Sequence, residues 1–185
     1  MKNILLLAAP LALVAGCSSG SADGDGDGEI SQEEAEAAVE AANISITPGD
    51  WEATIQLTEF DMPQMPEEAR VVMREQMGRA QTSNSCITRE EAENPQANMF
   101  GNNDESNCTY SEFDMSGGNM LIAATCSPEG MGGEMSMRME GSYTPTSYEM
   151  TMTMDVDSSP AGPMHMAGRV NGRHVGESCL AEGGE

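Results

Sequence analysis

Glu134-Met135-Ser136-Met137-Arg138-Met139-Glu140-Gly141-Ser142-Tyr143-Thr144-Pro145-Thr146-Ser147-Tyr148-Glu149-Met150-Thr151-Met152-Thr153-Met154-Asp155-Val156 is the stretch that decides the fold. Before its central turn, methionine stands at every second position, Met135, Met137 and Met139. After the turn it does so again, at Met150, Met152 and Met154. A period of two puts alternate side chains on opposite faces of a strand, whereas a helix would scatter them around its axis. Two antiparallel strands are predicted, Glu134 to Ser142 and Ser147 to Val156. Pairing Ser142 with Ser147 leaves Tyr143-Thr144-Pro145-Thr146 as the loop. Met139 then opposes Met150, Met137 opposes Met152 and Met135 opposes Met154. One face is methionine; Arg138, Thr151 and Thr153 lie on the other. A half-buried sheet face needs this spacing, and that is the reading adopted. Thioethers also select soft metals such as Cu(I), but His165 and His174 are the only imidazoles beside them.

Outward from this hairpin the same pattern continues. Ser158 to Pro163 is a turn, and Met164, Met166, Gly168 and Val170 alternate into a last strand. Upstream, Cys108 to Met115 and Asn119 to Cys126 flank Ser116-Gly117-Gly118, a hairpin signal. A loop of those three residues pairs Met115 with Asn119 and sets Cys108 opposite Cys126. Trp51 to Phe60 alternates as a strand after the turn Pro48-Gly49-Asp50. Ser31-Gln32-Glu33-Glu34 is a capping box opening a short Ala/Glu helix to about Ala42. The apolar face of that helix is mostly alanine, so weak packing is expected. Pro66 to Ala80 reads as an amphipathic helix with Ala69, Val72, Met73 and Met77 inward. Thr88-Arg89-Glu90-Glu91 is a second capping box, and Asn94-Pro95 ends its helix. A polar loop runs from Asn98 to Asn107. The expected fold is mainly β with minor α: an antiparallel meander, curved and packed on one or two short helices.

The N-terminus is Met1-Lys2-Asn3, then an apolar run from Ile4 to Ala15, then Gly16-Cys17. That run is shorter than the roughly 20 residues a membrane-spanning helix needs. Leu13-Val14-Ala15-Gly16-Cys17 resembles the bacterial lipobox, with small residues beside the cleavage point and a thiol able to accept a diacylglycerol. Residues 1–16 are therefore expected to be a lipoprotein signal peptide. Lipid on Cys17 is expected to hold the chain on a membrane. Ser18 follows where aspartate favours inner-membrane retention, so by that resemblance the outer membrane, facing the periplasm, is the expected location. Residues 17–30 read as a Gly/Asp tether, 31–43 as the short helix and 46–181 as the β-rich domain.

Export to an oxidising compartment turns the remaining cysteines, Cys86, Cys108, Cys126 and Cys179, into expected disulfides. Cys108–Cys126 follows from the hairpin register and Cys86–Cys179 by elimination. No Cys-x-x-Cys spacing supports a thiolate metal site. The chain has 31 acidic and 8 basic residues. Without Lys2 it has seven arginines against 31 acids, a formal charge of −24. Such a surface repels nucleic acid and disfavours it as a partner. Aromatics are few, with 17 Met against three Phe, three Tyr and one Trp, so the core is expected to be rich in thioethers.

Asp23-Gly24-Asp25-Gly26-Asp27-Gly28-Glu29-Ile30-Ser31-Gln32-Glu33-Glu34 resembles the twelve-residue EF-hand calcium loop. Asp23, Asp25 and Asp27 take positions 1, 3 and 5, Gly28 the sharp turn at 6, and Glu29 offers its carbonyl at 7. Ile30 is the apolar residue at 8, Ser31 stands at 9, and Glu34 supplies the carboxylate at 12. The exiting helix is present; an entering helix and a second loop to pair with are not. Ca²⁺ is thus the one cofactor the sequence suggests.

No Gly-x-Ser-x-Gly elbow, His-Glu-x-x-His helix or phosphate loop appears, so no enzyme activity is expected. Pro48-Gly49-Asp50-Trp51-Glu52, Cys86-Ile87-Thr88-Arg89-Glu90-Glu91-Ala92, Cys108, Phe113-Asp114-Met115-Ser116-Gly117-Gly118, Cys126, Tyr148-Glu149-Met150-Thr151-Met152 and Gly172-Arg173-His174-Val175-Gly176 before Cys179 come in that order. Together they resemble the domain of unknown function 3617 family of exported Gram-negative proteins. The resemblance implies an envelope location and no mechanism. The expected function is a non-enzymatic envelope lipoprotein that binds or supports a partner, such as an envelope protein. A calcium-binding lipoprotein using residues 23–34 is one alternative. A carrier of a small apolar ligand on the methionine face is another.

Overall fold

The structure, a computed structural model, describes residues 22–100, 107–127, 133–157 and 162–179. Cys17, its cleavage site, most of the polar loop before Cys108 and most of the turn after Asp157 lie outside them. The strands are β1 (Gly49–Asp61), β2 (Gln81–Ile87), β3 (Cys108–Asp114), β4 (Asn119–Cys126), β5 (Met135–Thr144), β6 (Ser147–Val156) and β7 (Met164–Gly176). They form one antiparallel, open and curved sheet in the order β2-β1-β7-β6-β5-β4-β3. The meander holds from β3 to β7. The N-terminal hairpin β1–β2 joins at β7, so the first strand pairs with the last. Cys86–Cys179 then ties β2 to the chain just beyond β7, while Cys108–Cys126 closes the β3–β4 ladder.

The methionine hairpin forms with its face as read but its register displaced. Thr144 pairs with Ser147, so the loop is only Pro145-Thr146. Thr144 Oγ1 lies 2.8 Å from Ser147 Oγ and accepts from Thr146 N at 3.3 Å, which closes the turn around a proline suited to its first corner. Met139 therefore opposes Met152, Met137 opposes Met154, and Met135 opposes Val156. A slip of two keeps every side chain on its face, whereas a slip of one would invert it.

In the β3–β4 hairpin the expected Met115–Asn119 pair is absent. Asp114 pairs with Leu121, and Ser116–Gly118 forms a 3₁₀ turn with Gly117 at φ 61°. A β-bulge between Tyr110 and Glu112 takes up the offset, so Cys108 still faces Cys126. The bulge also lets Tyr110 and Phe113, three apart in sequence, both turn inward; each is buried.

The helix that covers the sheet is the alanine-rich one. α1 (Gln32–Ala42) begins at the Ser31–Glu34 capping box. Its Ala35 and Val39 are 0% and 1% exposed, and they pack with Ile30, Phe100, Tyr110, Phe113 and Ile122. Alanine lets the helix axis approach the sheet closely, so small side chains here give tight packing rather than weak packing. α2 (Glu67–Met77) forms as expected, but buries no residue. Ala69, Met73 and Met77 are half-buried, while Val72, expected inward, is 51% exposed. The reason is position: α2 runs beside β1, past the point where β2 stops pairing at Ile55–Gln81, and has no layer above it. The short helices α3 (Arg89–Glu93) and α4 (Pro95–Phe100) follow the Thr88 capping box, with Pro95 opening α4.

Candidate functional site

The acidic loop folds around its own carboxylates. Asp23 Oδ1 accepts from Gly26 N at 2.7 Å and Oδ2 from Gly28 N at 3.1 Å. Asp25 Oδ1 accepts from Asp27 N, and Asp27 Oδ1 from Glu29 N. Gly26 and Gly28 adopt φ 77° and 92°, open to glycine at no steric cost. One carboxylate oxygen from each of Asp23, Asp25 and Asp27 lies within 4.8 Å of the others. Calcium–oxygen bonds of about 2.3–2.6 Å put opposed ligands about 5 Å apart, so this spacing fits Ca²⁺.

Glu34 stands next to this group rather than in it. Its Oε1 accepts from Gly24 N at 2.8 Å and Asp25 N at 3.3 Å, and its Oε2 from Ser31 N and Ser31 Oγ, both at 2.9 Å. These bonds, the one from the Ser31 backbone foremost and then that from Gly24, hold its carboxyl below the usual range. Its place over Gly24 and Asp25 ties position 12 of the loop to positions 2 and 3. Ser31 Oγ is engaged in the helix cap, and the Glu29 side chain is exposed.

The loop is also fastened to the sheet. Ile30 N donates to Tyr110 O at 2.8 Å and Tyr110 N donates to Ile30 O at 3.0 Å. β3 is the edge of the sheet, so this bridge satisfies edge groups that would otherwise face solvent. Ile30 itself is 3% exposed. The apolar residue at loop position 8 was legible in the sequence, but its partner, sixty-odd positions beyond α1's end, was not.

A second feature is an apolar cavity of about 210 Å³ at the turn end of the inner sheet face, walled by Ile44, Ile46, Trp51, Met99, Tyr148 and Met150. Trp51 stacks on Tyr148 with centroids 6.1 Å apart and meets His174 edge-on at 5.9 Å. Trp51 Nε1 donates to Thr47 O at 2.8 Å, and Tyr143 Oη donates to Met115 O, so these polar tips are satisfied. Glycine makes the site possible: a Cβ on Gly172 would meet the Tyr148 ring at 2.1 Å. Sequence reading missed this cavity. Ile44 and Ile46 alternate in a linker, the one signal that this segment lines something.

His165 Nδ1 lies 2.6 Å from Asp155 Oδ1, with Glu59 on its other nitrogen at 3.6 Å. The Asp155 hydrogen bond raises its pKa above the ordinary imidazole value. Both ring nitrogens thus face carboxylates, the geometry of an ion pair.

A family model described as "Protein of unknown function (DUF3617)" matches residues 46–179. The chain belongs to this family. No curated protein and no solved structure matches it. The DUF3617 match takes in every strand of the sheet, both disulfides and most of the cavity wall. The acidic loop and α1 precede it, so Ile30, Ala35 and Val39 complete the core of the DUF3617 domain from outside the matched residues. Among the described residues no helix is long and apolar enough to cross a membrane.

Proposed function

We propose that this DUF3617 protein is a non-enzymatic lipoprotein of the cell envelope. It is held by lipid on Cys17, faces the periplasm from the outer membrane, and binds Ca²⁺ in the Asp23–Glu34 loop. The lipobox-like Leu13–Cys17 supports the anchor. The observation that carries the calcium reading is the convergence of Asp23, Asp25 and Asp27 within 4.8 Å in a loop whose position-8 residue is docked in the core. Docking orders the loop before the ion arrives, which lowers the entropic cost of binding. Asp23, Asp25 and Asp27 would supply carboxylate oxygens and Glu29 its carbonyl. Glu34 would rotate from Gly24 to close the site as a bidentate ligand, with Ser31 near by. Extracellular modules of this type bind at about 10⁻⁴–10⁻³ M.

Calorimetric titration of Ca²⁺ into residues 18–185, beside Asp25→Ala and Glu34→Ala, tests this. Saturable binding lost in both variants is expected. Heat that is absent, or equal in all three proteins, removes calcium from the function. Anchoring is tested separately: a Cys17→Ala chain should leave the membrane fraction.

A second reading has its own observation. The cavity beside Trp51 is larger than the roughly 150 Å³ apolar void that takes up benzene. Its aromatic and thioether walls suit a small apolar ligand, and Trp51 fluorescence would report its entry. A titration with naphthalene that leaves the emission unchanged would remove this reading.

A further inference from the structure

The register of β5, β6 and β7 does something the sequence spacing alone does not. Met137 opposes Met154, and Met154 opposes Met166, so one row of thioethers crosses three neighbouring strands on one face. The next row holds Met139 opposite Met152, and the row on the other side holds Met135 and Met164 at its ends. All of these residues are half-buried, open enough for solvent to reach.

Beneath α1 the inner face is Tyr110, Phe113, Met115, Ile122 and Ala124, all buried, with Met135, Met137 and Met139 packed half-buried against them. Met154 and Met166 continue the row from Met137 across β6 and β7, half-buried, as far as the buried Phe60 of β1. Arg138 and Arg169 project from the opposite face, since each alternates with an inward residue, Met139 and Val170. The four structural cysteines are closed in disulfides, so the soft donors of the described sheet are thioethers.

We propose that Met137, Met154 and Met166 form a trithioether site for a soft monovalent cation, Cu(I), with Met139 and Met152 beside it. Side chains directly opposed on adjacent strands start about 4.5–5.5 Å apart at Cβ. Metal–sulfur bonds near the roughly 2.3 Å of zinc thiolates put sulfurs in a trigonal site about 4 Å apart. Met137 and Met166 lie two strands apart, about 10 Å, so both must lean towards Met154, and the three rotatable bonds of each methionine allow that without moving the backbone. Thioethers select Cu(I) over hard cations, which separates this site from the carboxylate loop at Asp23–Glu34. The acidic chain raises the local cation concentration without providing the selectivity.

The test uses residues 18–185, which keep every described residue and omit the Cys17 thiol. Cu(I) is held by ascorbate under anaerobic conditions, which leaves the disulfides intact, and is titrated against a chromogenic Cu(I) chelator. The comparison protein carries Met137→Leu, Met154→Leu and Met166→Leu. Leucine nearly conserves volume and apolarity, so the fold and any apolar-ligand role are retained while the sulfurs are lost. One equivalent of Cu(I) should be withdrawn from the chelator by the wild type, and the triple variant should bind about 100-fold more weakly or worse. Ag(I), a redox-stable substitute, should shift the ε-methyl NMR signals of Met137, Met154 and Met166 first. Failure of the wild type to compete, equal binding by the leucine variant, or Ag(I) shifts spread evenly over all methionines would each overturn the proposal.

Discussion

Trp51→Ala tests whether the β1–β7 closure is a core or a decorated edge. The ring is 4% exposed, stacked on Tyr148 and edge-on to His174. A tryptophan side chain buries up to about 250 Å², which at about 25 cal/mol per Å² amounts to roughly 6 kcal/mol. Residual burial in the denatured chain removes about 10–40% of that. The Thr47 carbonyl loses its donor, which adds back up to about 1 kcal/mol. The expected loss is about 4 kcal/mol, within the range of Trp→Ala substitutions in cores. For a chain of this size that is a fall of roughly 8–16 °C in Tm. Trp51 is the sole tryptophan, so the variant is followed by far-UV circular dichroism in urea, disulfides intact, rather than by fluorescence. Trp51→Phe keeps a ring against Tyr148 and drops the Nε1 donor, and should cost about 1–2 kcal/mol. A loss under about 1 kcal/mol for Trp51→Ala at unchanged urea m-value would refute the placement of Trp51 in a packed core.

Three further outcomes are expected from the disulfides, the α1 packing and the Glu34 cap. Breaking Cys86–Cys179, which spans 93 residues, should cost about 4–5 kcal/mol by loop entropy, against about 3 kcal/mol for Cys108–Cys126 over 18 residues; urea midpoints of the paired Cys→Ser variants that rank the other way would contradict it. Ala35→Leu should destabilise by about 1–3 kcal/mol, because a fully buried alanine leaves no room for a larger side chain. A neutral result by calorimetry would mean that α1 is loosely seated. The Glu34 carboxyl is lowered in the folded chain, so its stabilisation is present above the unfolded value near 4.5 and is lost as pH falls through the folded value. Glu34→Gln should therefore be less stable than wild type at pH 6–7 and equal to it at strongly acidic pH. A difference independent of pH would show that the capping carboxylate is not ionised in its role.

Local patterns in the sequence carried much of this fold because their physics is local. Alternation at Met135–Met139 and Met150–Met154 dictates strands and shared faces, the Ser31–Glu34 and Thr88–Glu91 boxes dictate helix starts, and the Cys108–Cys126 spacing fits one hairpin. None of these depends on what lies far along the chain. The register of the methionine hairpin was displaced by two because a turn's length is set by hydrogen bonds around Thr144 and Ser147, which alternation does not report. Candidate sites divide in the same way. The carboxylates of Asp23, Asp25 and Asp27 are adjacent in sequence and legible there.

What the sequence by itself determined is therefore the class of the protein: an antiparallel sheet with short helices, its disulfide pairs, its family and its acidic loop. What only the tertiary structure decided is which surfaces meet. β1 lies against β7 rather than β3, Ile30 closes the β3 edge, and α1 rather than α2 covers the inner face. Met137, Met154 and Met166 fall into one row only once three strands have chosen their registers. Each of these contacts joins segments far apart in the chain. Their selection depends on burying apolar area over the whole sheet at once, and no local window of residues contains that sum.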